Sequence, residues 1–222
     1  MLTILSDIET RVLGSLIEKQ ITTPEYYPLT LNALTLACNQ KNNRNPVTAY
    51  DEQTVADAVE SLRGKNLAYV FYGSNSRVPK YKHVVPEIFH LSHSELSLMC
   101  LLMLRGPQTP GELHSRSGRM FDFKGLEDVE TTINSLITKD PDPLVVRLPR
   151  QPGQKESRFA HLLNGDIDVE AMTDVAATSR DSGGSRQGTG ERISQLEQEV
   201  TRLTGEVQSL QQQFADFKKQ FE

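Results

Sequence analysis

The amino-acid sequence predicts a mainly α protein of the α+β class, in which one unit of three helices and a β-hairpin occurs twice. Three observations predict this arrangement. A helix-capping motif recurs at an offset of 86 residues, between Ser6 and Ser92. Two short β-like runs follow the third helical pattern of each copy. A heptad pattern of apolar residues runs through the C-terminal end of the chain.

The first helix of each copy begins at a capping box. The sequence LSDIE (5–9) recurs as LSHSE (91–95). In each, the serine hydroxyl accepts a hydrogen bond from a backbone N–H in the first turn of the helix. The side chain of the glutamate three residues later accepts one from the backbone N–H of the serine. An apolar stripe at helical spacing follows each cap. Its residues are Ile8, Val12, Leu13, Leu16 and Ile17 in copy one, and Leu96, Met99, Cys100, Met103 and Leu104 in copy two.

A second and a third helix follow in both copies. The dipeptide Thr23-Pro24 recurs at 109–110, again at an offset of 86, and proline in the first helical position predicts a helix start. In the third helix, Ser61 matches Ser135, so the offset there is 74. The apolar residues of this helix are Val55, Ala58, Val59 and Leu62 in copy one, and Leu126, Val129, Ile133, Leu136 and Ile137 in copy two.

A hairpin pattern closes each copy. The runs are LAYVFY (67–72) and VPKYKH (78–83) in copy one, and LVVRL (144–148) and SRFAHLL (157–163) in copy two. Three helices followed by a hairpin are typical of the winged-helix fold, whose third helix is the recognition element of a helix-turn-helix. The sequence therefore predicts winged-helix domains over residues 1–86 and 87–165, with a generic small α+β domain as the alternative.

Two strings carry a resemblance to a known family. TRVLGSLIEKQITTPEYYPLTLNAL, followed by ACNQKNNRNP, resembles the YceH-like family of uncharacterised bacterial cytoplasmic proteins. The resemblance extends over the whole chain, including its C-terminal helix. It implies two winged-helix domains in one chain, and it implies neither an enzymatic activity nor a ligand.

The C-terminal quarter differs in composition from the repeats. Residues 166–190 lose apolar periodicity and end in Gly/Ser-rich sequence, which predicts a flexible acidic linker. Residues 191–222 predict a coiled-coil helix that makes the protein a homo-oligomer, with a parallel dimer favoured. The alternative is an amphipathic helix that folds onto its own chain. The heptad residues are Ile193, Leu196, Val200, Leu203, Val207, Leu210, Phe214, Phe217 and Phe221.

Charge and cysteine content bound the class of protein. Residues 1–90 and 91–165 each hold nine basic and nine acidic side chains, so the net charge of −5 lies entirely in residues 166–222. No run of 18 apolar residues exists, so we expect no membrane segment. Cys38 and Cys100 both lie in apolar helical patterns, which favours small core residues in a reducing cytoplasm over a disulfide or a zinc cluster.

The helix-turn-helix pattern makes double-stranded DNA the leading partner. The predicted recognition helices are acidic, because one carries Asp51, Glu52 and Asp57 and the other carries residues 127–130 (EDVE). Phosphate contacts must therefore come from elsewhere. Apart from a basic loop between the second and third helices of copy one, the candidate contacts are Gln53, Arg77, Lys80, Lys82, Arg116, Arg119, Arg147, Arg150, Lys155 and Arg158. Tyr72 and Tyr81 are candidates to stack on a base.

The loop CNQKNNRNPVTAYDEQTV (38–55) connects the second and third helices of copy one. The change of offset from 86 to 74 makes copy one 12 residues longer here, so the loop is not required by the repeated fold. Its basic, amide-rich cluster of Lys41, Asn42, Asn43 and Arg44 is the first choice for a nucleic-acid or partner contact. Replacing both cations with alanine is expected to abolish binding without lowering stability.

Two other classes of function compete with DNA binding. Tandem winged helices with neutral or acidic faces also serve as protein-interaction scaffolds, so a protein partner is the alternative. An enzyme is not expected, because the sequence has no phosphate loop, nucleophile elbow or Cys/His pair. His90 and His93 straddle a helix cap rather than sharing a helix face, so neither a metal nor a cofactor is expected.

Overall fold

The computed structural model describes residues 4–72, 78–150, 154 and 156–165. All of them lie in one compact unit, residues 1–173. This part is a mixed α/β structure of seven α-helices and two small antiparallel sheets. The predicted linker and coiled-coil helix lie outside the described residues, as do Arg77 and Lys155.

The helices are α1 Asp7–Thr22, α2 Leu31–Cys38, α3 Glu52–Gly64, α4 Val85–Phe89, α5 His93–Arg105, α6 Pro110–Ser117 and α7 Leu126–Ile137. The strands are β1 Leu29–Thr30, β2 Ala68–Phe71, β3 Lys80–His83, β4 Val145–Arg147 and β5 Phe159–His161.

The predicted capping boxes are confirmed. In the first, the Ser6 backbone N–H donates to Glu9 Oε2 at 2.7 Å, and the Glu9 N–H donates to Ser6 Oγ at 3.3 Å. Ser92 and Glu95 repeat both bonds at 2.8 and 3.3 Å. A third box, at Thr109, begins α6. Each box satisfies backbone donors that the start of a helix otherwise leaves unpaired.

The predicted helix start at Thr23-Pro24 is wrong. Pro24 opens only a 3-10 turn, Pro24–Tyr26, and the Thr23 hydroxyl donates backwards to Lys19 O at 3.2 Å. Pro28 explains why the turn does not extend, because a proline disfavours helical geometry in the residue before it, and Tyr27 is extended. The second helix of copy one instead begins at Leu31, capped by Thr30.

Both predicted hairpins are confirmed as antiparallel pairs. β2 pairs with β3 and β4 pairs with β5. The sequence did not predict β1, a two-residue strand that joins the other edge of β3 and gives the order β1-β3-β2. In β3 the side chains alternate, with Tyr81 and His83 buried and Lys80 and Lys82 half-buried. The inner face of this sheet therefore covers the helices.

The first helices of the two copies, α1 and α5, pack closely against each other. Gly14 allows the close approach, since a Cβ there would lie 3.0 Å from Leu104 Cδ2. The Cys100 thiol donates to the Gly14 carbonyl at 3.4 Å. Cys38 and Cys100 are buried free thiols, as predicted. One buried apolar cluster therefore includes residues of both copies. The division into domains 1–86 and 87–165 stays a prediction.

An ion pair recurs with the repeat. Glu9 of the first capping box accepts from Lys65 Nζ at 2.6 Å, and Glu95 of the second accepts from Lys139 Nζ at 2.8 Å. The glutamates are 86 residues apart and the lysines 74, which matches the two offsets in the sequence. Burial opposes ionisation of Glu9, but the hydrogen bonds from Lys65 and the Ser6 backbone outweigh it and lower its pKa to about 2. Each pair ties the start of a first helix to the end of a third.

Candidate functional site

Arg44, the central cation of the predicted contact loop, is buried rather than exposed. Its Nη2 lies 2.6 Å from Glu18 Oε2, and its Nη1 donates to Glu18 Oε1 at 3.1 Å. Nη2 and Nε also donate to the Ala37 carbonyl at 2.9 and 3.2 Å. No face of this guanidinium is open to a partner. The prediction that Arg44 is a contact residue is therefore corrected: it holds the loop against α1 and the end of α2.

The carboxyl of Glu18 stays ionised in this environment. Burial alone raises a carboxyl pKa, because it removes water from the charged form. The hydrogen bonds and the positive charge of Arg44 outweigh that effect, so the pKa of Glu18 lies below its ordinary value. The pair is thus a buried salt bridge whose partners depend on each other.

The rest of the loop is anchored to the first helices of both copies. Arg11 of α1 donates to the Pro46 carbonyl at 2.6 Å and to Thr48 Oγ1 at 3.3 Å. The Asn45 N–H donates to the Leu104 carbonyl at the end of α5, at 2.9 Å. Arg105 also bonds the side-chain oxygen of Asn43. The loop was expected not to be required by the repeated fold, but these bonds make it part of the packing between the two first helices.

A cleft lies between this anchored loop, the C-terminal ends of α1 and α5, and the end of α6. Its volume is about 710 Å³. Lys41 and Asn42 of the loop line the cleft together with Arg116 and Arg119 from around the end of α6. The cleft thus brings together predicted contact residues from both copies of the repeat. The other lining residues are Glu18, Lys19, Thr22, Thr23, Gln40, Asn43, Leu101, Leu104, Arg105, Ser115, Gly118 and Met120.

The charge of the cleft lining is strongly positive. Five of its side chains are cations: Lys19, Lys41, Arg105, Arg116 and Arg119. The one acidic lining residue, Glu18, is paired with Arg44 at 2.6 Å and with Lys19 at 3.4 Å. Burial, then the charge of Arg116, lowers the pKa of Arg105, which shows how closely these cations are placed. Within the described residues, Lys41 and Arg119 are exposed and form no ion pair. The cleft can therefore accept an anion.

Lys19 and Arg105 were missed as candidates from the sequence. Both lie in the last turn of a first helix, where a cation also interacts favourably with the helix dipole. They occupy equivalent positions, because their numbers differ by the repeat offset of 86. The signal in the sequence that could have identified them is a basic residue that recurs at the same position of the repeat.

Two of the predicted contacts in copy two are engaged in structural bonds. Arg116 donates to Gln108 Oε1 at 2.8 Å and lies 3.4 Å from Glu112. Arg158 donates to Glu112 Oε2 and to the Pro107 carbonyl, both at 2.8 Å. Arg116 still lines the cleft, whereas Arg158 is directed to the start of α6.

The remaining predicted contacts that the structure describes lie apart from the cleft. Gln53, on the exposed side of α3, donates to Asp57 at 2.7 Å. Lys80 and Lys82 lie on the outer side of β3. Arg147 and Arg150 line a second cavity of about 300 Å³ together with two acidic residues, Glu130 and Glu156.

Neither a metal cluster nor a membrane-crossing helix is found in the part of the chain that the structure describes. No three or more His, Cys, Asp or Glu side chains lie close enough there to hold a metal ion. Over the same residues, no helix has the length and apolarity needed to cross a bilayer.

Comparison with known proteins places the chain in a family. The family model described as "Protein of unknown function, DUF480" matches residues 5–154. The chain belongs to this family.

Relatives of the family extend the match to nearly the whole chain. A UPF0502 protein of Pelobacter propionicus is 50% identical over 222 residues, which is 99% of each chain. One from Geobacter sulfurreducens is 49% identical over the same share of each chain. One from Opitutus terrae is 57% identical over 170 residues, 77% of this chain and 74% of the relative. The resemblance read from the two sequence strings is thereby confirmed.

Proposed function

We propose that the protein is a non-enzymatic, cytoplasmic, tandem winged-helix protein that binds double-stranded DNA. The order of three helices and an antiparallel hairpin in each copy supports the winged-helix arrangement. The repeated pair of capping glutamate and lysine supports it too, since it gives both copies the same connection between first and third helix.

The basic cleft is the observation that carries the DNA-binding proposal. Lysine and arginine side chains contact phosphates, and those contacts supply most of the sequence-independent affinity for DNA. The exposed sides of α3 and α7 repel phosphates, because they present Asp57, Glu60, Glu127 and Glu130. A DNA backbone therefore approaches along the cleft, and not along the third helices as in an ordinary helix-turn-helix.

Removal of two cleft cations tests this proposal. Lys41→Ala/Arg119→Ala is expected to weaken binding of a mixed-sequence duplex at least tenfold at low salt, as measured by fluorescence anisotropy. The plot of log binding constant against log salt concentration is expected to become less steep by about 1.8, because each of the two lost phosphate contacts contributes about 0.9 to its slope. Both side chains are exposed and unpaired within the described residues, so the fold is expected to survive.

A matched variant separates the cleft from the third helices. Arg63→Ala/Lys124→Ala removes the same charge from α3 and from the approach to α7. It is expected to bind DNA as the parent protein does. If this variant loses binding and the cleft variant keeps it, the third helices carry DNA and the cleft does not. A parent protein that binds no duplex at low salt refutes DNA binding altogether.

A protein-interaction scaffold is the second candidate function. The acidic exposed sides of α3 and α7 favour it, because they suit a basic protein surface better than phosphate. A pull-down from the native cell, with and without nuclease, distinguishes the two functions. Partners that remain after nuclease treatment support the scaffold, whereas partners lost with the nucleic acid support DNA binding.

Self-association through residues 191–222 is part of the proposal. The heptad pattern of that segment supports it, with β-branched residues and leucine at alternating seam positions favouring a parallel pair. Deletion of residues 187–222 is expected to convert the oligomer to a monomer in light scattering. A truncated protein that keeps the subunit number of the full chain contradicts the coiled coil.

A further inference from the structure

The outer face of the three-stranded sheet carries two aromatic rings that the fold does not bury. Tyr69 is 39% exposed and Phe71 is 42% exposed, and both project from the edge strand β2. Ala68 on the same strand is buried. Because side chains alternate across a strand, Tyr69 and Phe71 share the face that points away from the core.

The strand register places a lysine beside each ring. Tyr69 is directly opposite Lys82, and Phe71 is directly opposite Lys80. Residues opposite each other on an antiparallel pair have side chains on the same face. Lys82 Nζ lies 4.5 Å from the centre of the Tyr69 ring, within the range of a cation–π contact. The next position across the sheet is Thr30 of β1. The outer face therefore consists of two rings, two cations and a hydroxyl, with no acid among its strand residues.

We propose that this face binds single-stranded nucleic acid. Unpaired bases stack on Phe71 and on Tyr69, whose ring Lys82 leaves as Lys82 and Lys80 pair with the phosphates that follow those bases. Stacking of bases on aromatic rings beside a basic track is how proteins hold single strands without reading their sequence. The positive charge of the face complements the one charge per nucleotide of its occupant.

The spacing of the rings selects a single strand over a duplex. Tyr69 and Phe71 are two residues apart, which is about 7 Å along a strand. Neighbouring bases in a duplex are about 3.4 Å apart along each strand and cover each other's faces. Rings at twice that distance suit bases that have been separated from one another. This site is therefore independent of the duplex-binding cleft, which has no aromatic ring in its lining.

The two tyrosines singled out in the sequence are less suited to this role. Tyr81 faces the core and is only 8% exposed. Tyr72 is exposed but follows the end of β2. The alternation of the strand, rather than proximity to basic residues, decides which rings are available.

Binding of a short labelled oligodeoxythymidylate to the full-length protein tests the proposal. The parent protein is expected to bind it at low salt with quenching of tyrosine fluorescence, which is readable because the chain contains no tryptophan. Tyr69→Ala/Phe71→Ala is expected to weaken binding by roughly tenfold for each ring. Tyr69→Phe is expected to keep the affinity, since it retains the stacking surface. Lys80→Gln/Lys82→Gln is expected to lower the salt dependence.

Two controls make the result decisive. Tyr26→Ala removes another exposed ring, on the 3-10 turn, and is expected to bind the oligonucleotide normally. The cleft variant Lys41→Ala/Arg119→Ala is expected to keep single-strand binding even where duplex binding is lost. The proposal is overturned if the parent protein does not bind the single strand, if the double ring variant binds as tightly as the parent while remaining folded by circular dichroism, or if the cleft variant loses single-strand binding.

Discussion

Arg44→Met is expected to lower the free energy of unfolding by about 3–5 kcal/mol, measured by urea denaturation at pH 7. The variant leaves the buried Glu18 carboxylate with only the longer contact to Lys19 Nζ, at 3.4 Å, and breaking a buried ion pair by removing one partner costs about that much. It also leaves the Ala37 carbonyl without the two donors that it has in the native protein. The loop between α2 and α3 then loses its link to α1.

Two companion variants identify the cause of the loss. Lys41→Ala, on the exposed side of the same loop, is expected to change stability by no more than about 0.5 kcal/mol. Glu18→Leu/Arg44→Met removes both charges and is expected to recover most of the loss, because the penalty belongs to the buried carboxylate that has lost its arginine. A double variant as unstable as Arg44→Met alone contradicts the ion-pair explanation. In that case packing of the arginine stem, and not its charge, holds the loop.

The contrast between Lys41 and Arg44 shows where sequence reasoning reaches its limit. Both are cations in one polar loop, and composition cannot distinguish them. The difference arises from Glu18, which lies 26 residues earlier and on the buried side of a helix. The helical period places Glu18 on the side of α1 opposite the predicted apolar stripe, so neither its burial nor its partner was visible in the sequence. Pairing between distant residues is decided by tertiary packing, which local patterns do not carry.

The repeat was the more informative signal. Capping boxes, apolar stripes and hairpins depend on local chemistry, so they could be predicted in both copies. Even tertiary features follow when two copies are compared, since Lys65 and Lys139 occupy matching positions, as do Lys19 and Arg105. What the repeat could not supply is the geometry between the copies. The cleft is lined by residues of both copies around the ends of α1 and α5, so neither copy contains it alone.

Acidification from pH 7 to pH 5 is expected to lower the free energy of unfolding by about 4 kcal/mol. Burial lowers the pKa of both His83 and His161 to about 4, compared with an ordinary value of about 6.5. Among the described residues, His83 Nε2 and His161 Nδ1 have no hydrogen-bond partner that would stabilise a charged ring. Between pH 6.5 and 4 the unfolded state therefore binds more protons than the folded state, and stability falls with pH. Each histidine contributes about 2 kcal/mol by pH 5.

The pH window separates these histidines from the buried carboxylates. A carboxyl with a lowered pKa, such as Glu9 at about 2, contributes stability that is lost only below its unfolded pKa of about 4.5. The fall in the free energy of unfolding between pH 6.5 and 5 is therefore due to the histidines.

His83→Asn is expected to halve this fall, as measured by urea denaturation. The asparagine keeps an acceptor near the Val85 N–H, which donates to His83 Nδ1 at 3.3 Å. His90→Asn, on the surface, is expected to leave the fall unchanged. Equal stability at pH 7 and pH 5 in the parent protein contradicts the lowered pKa of these two histidines.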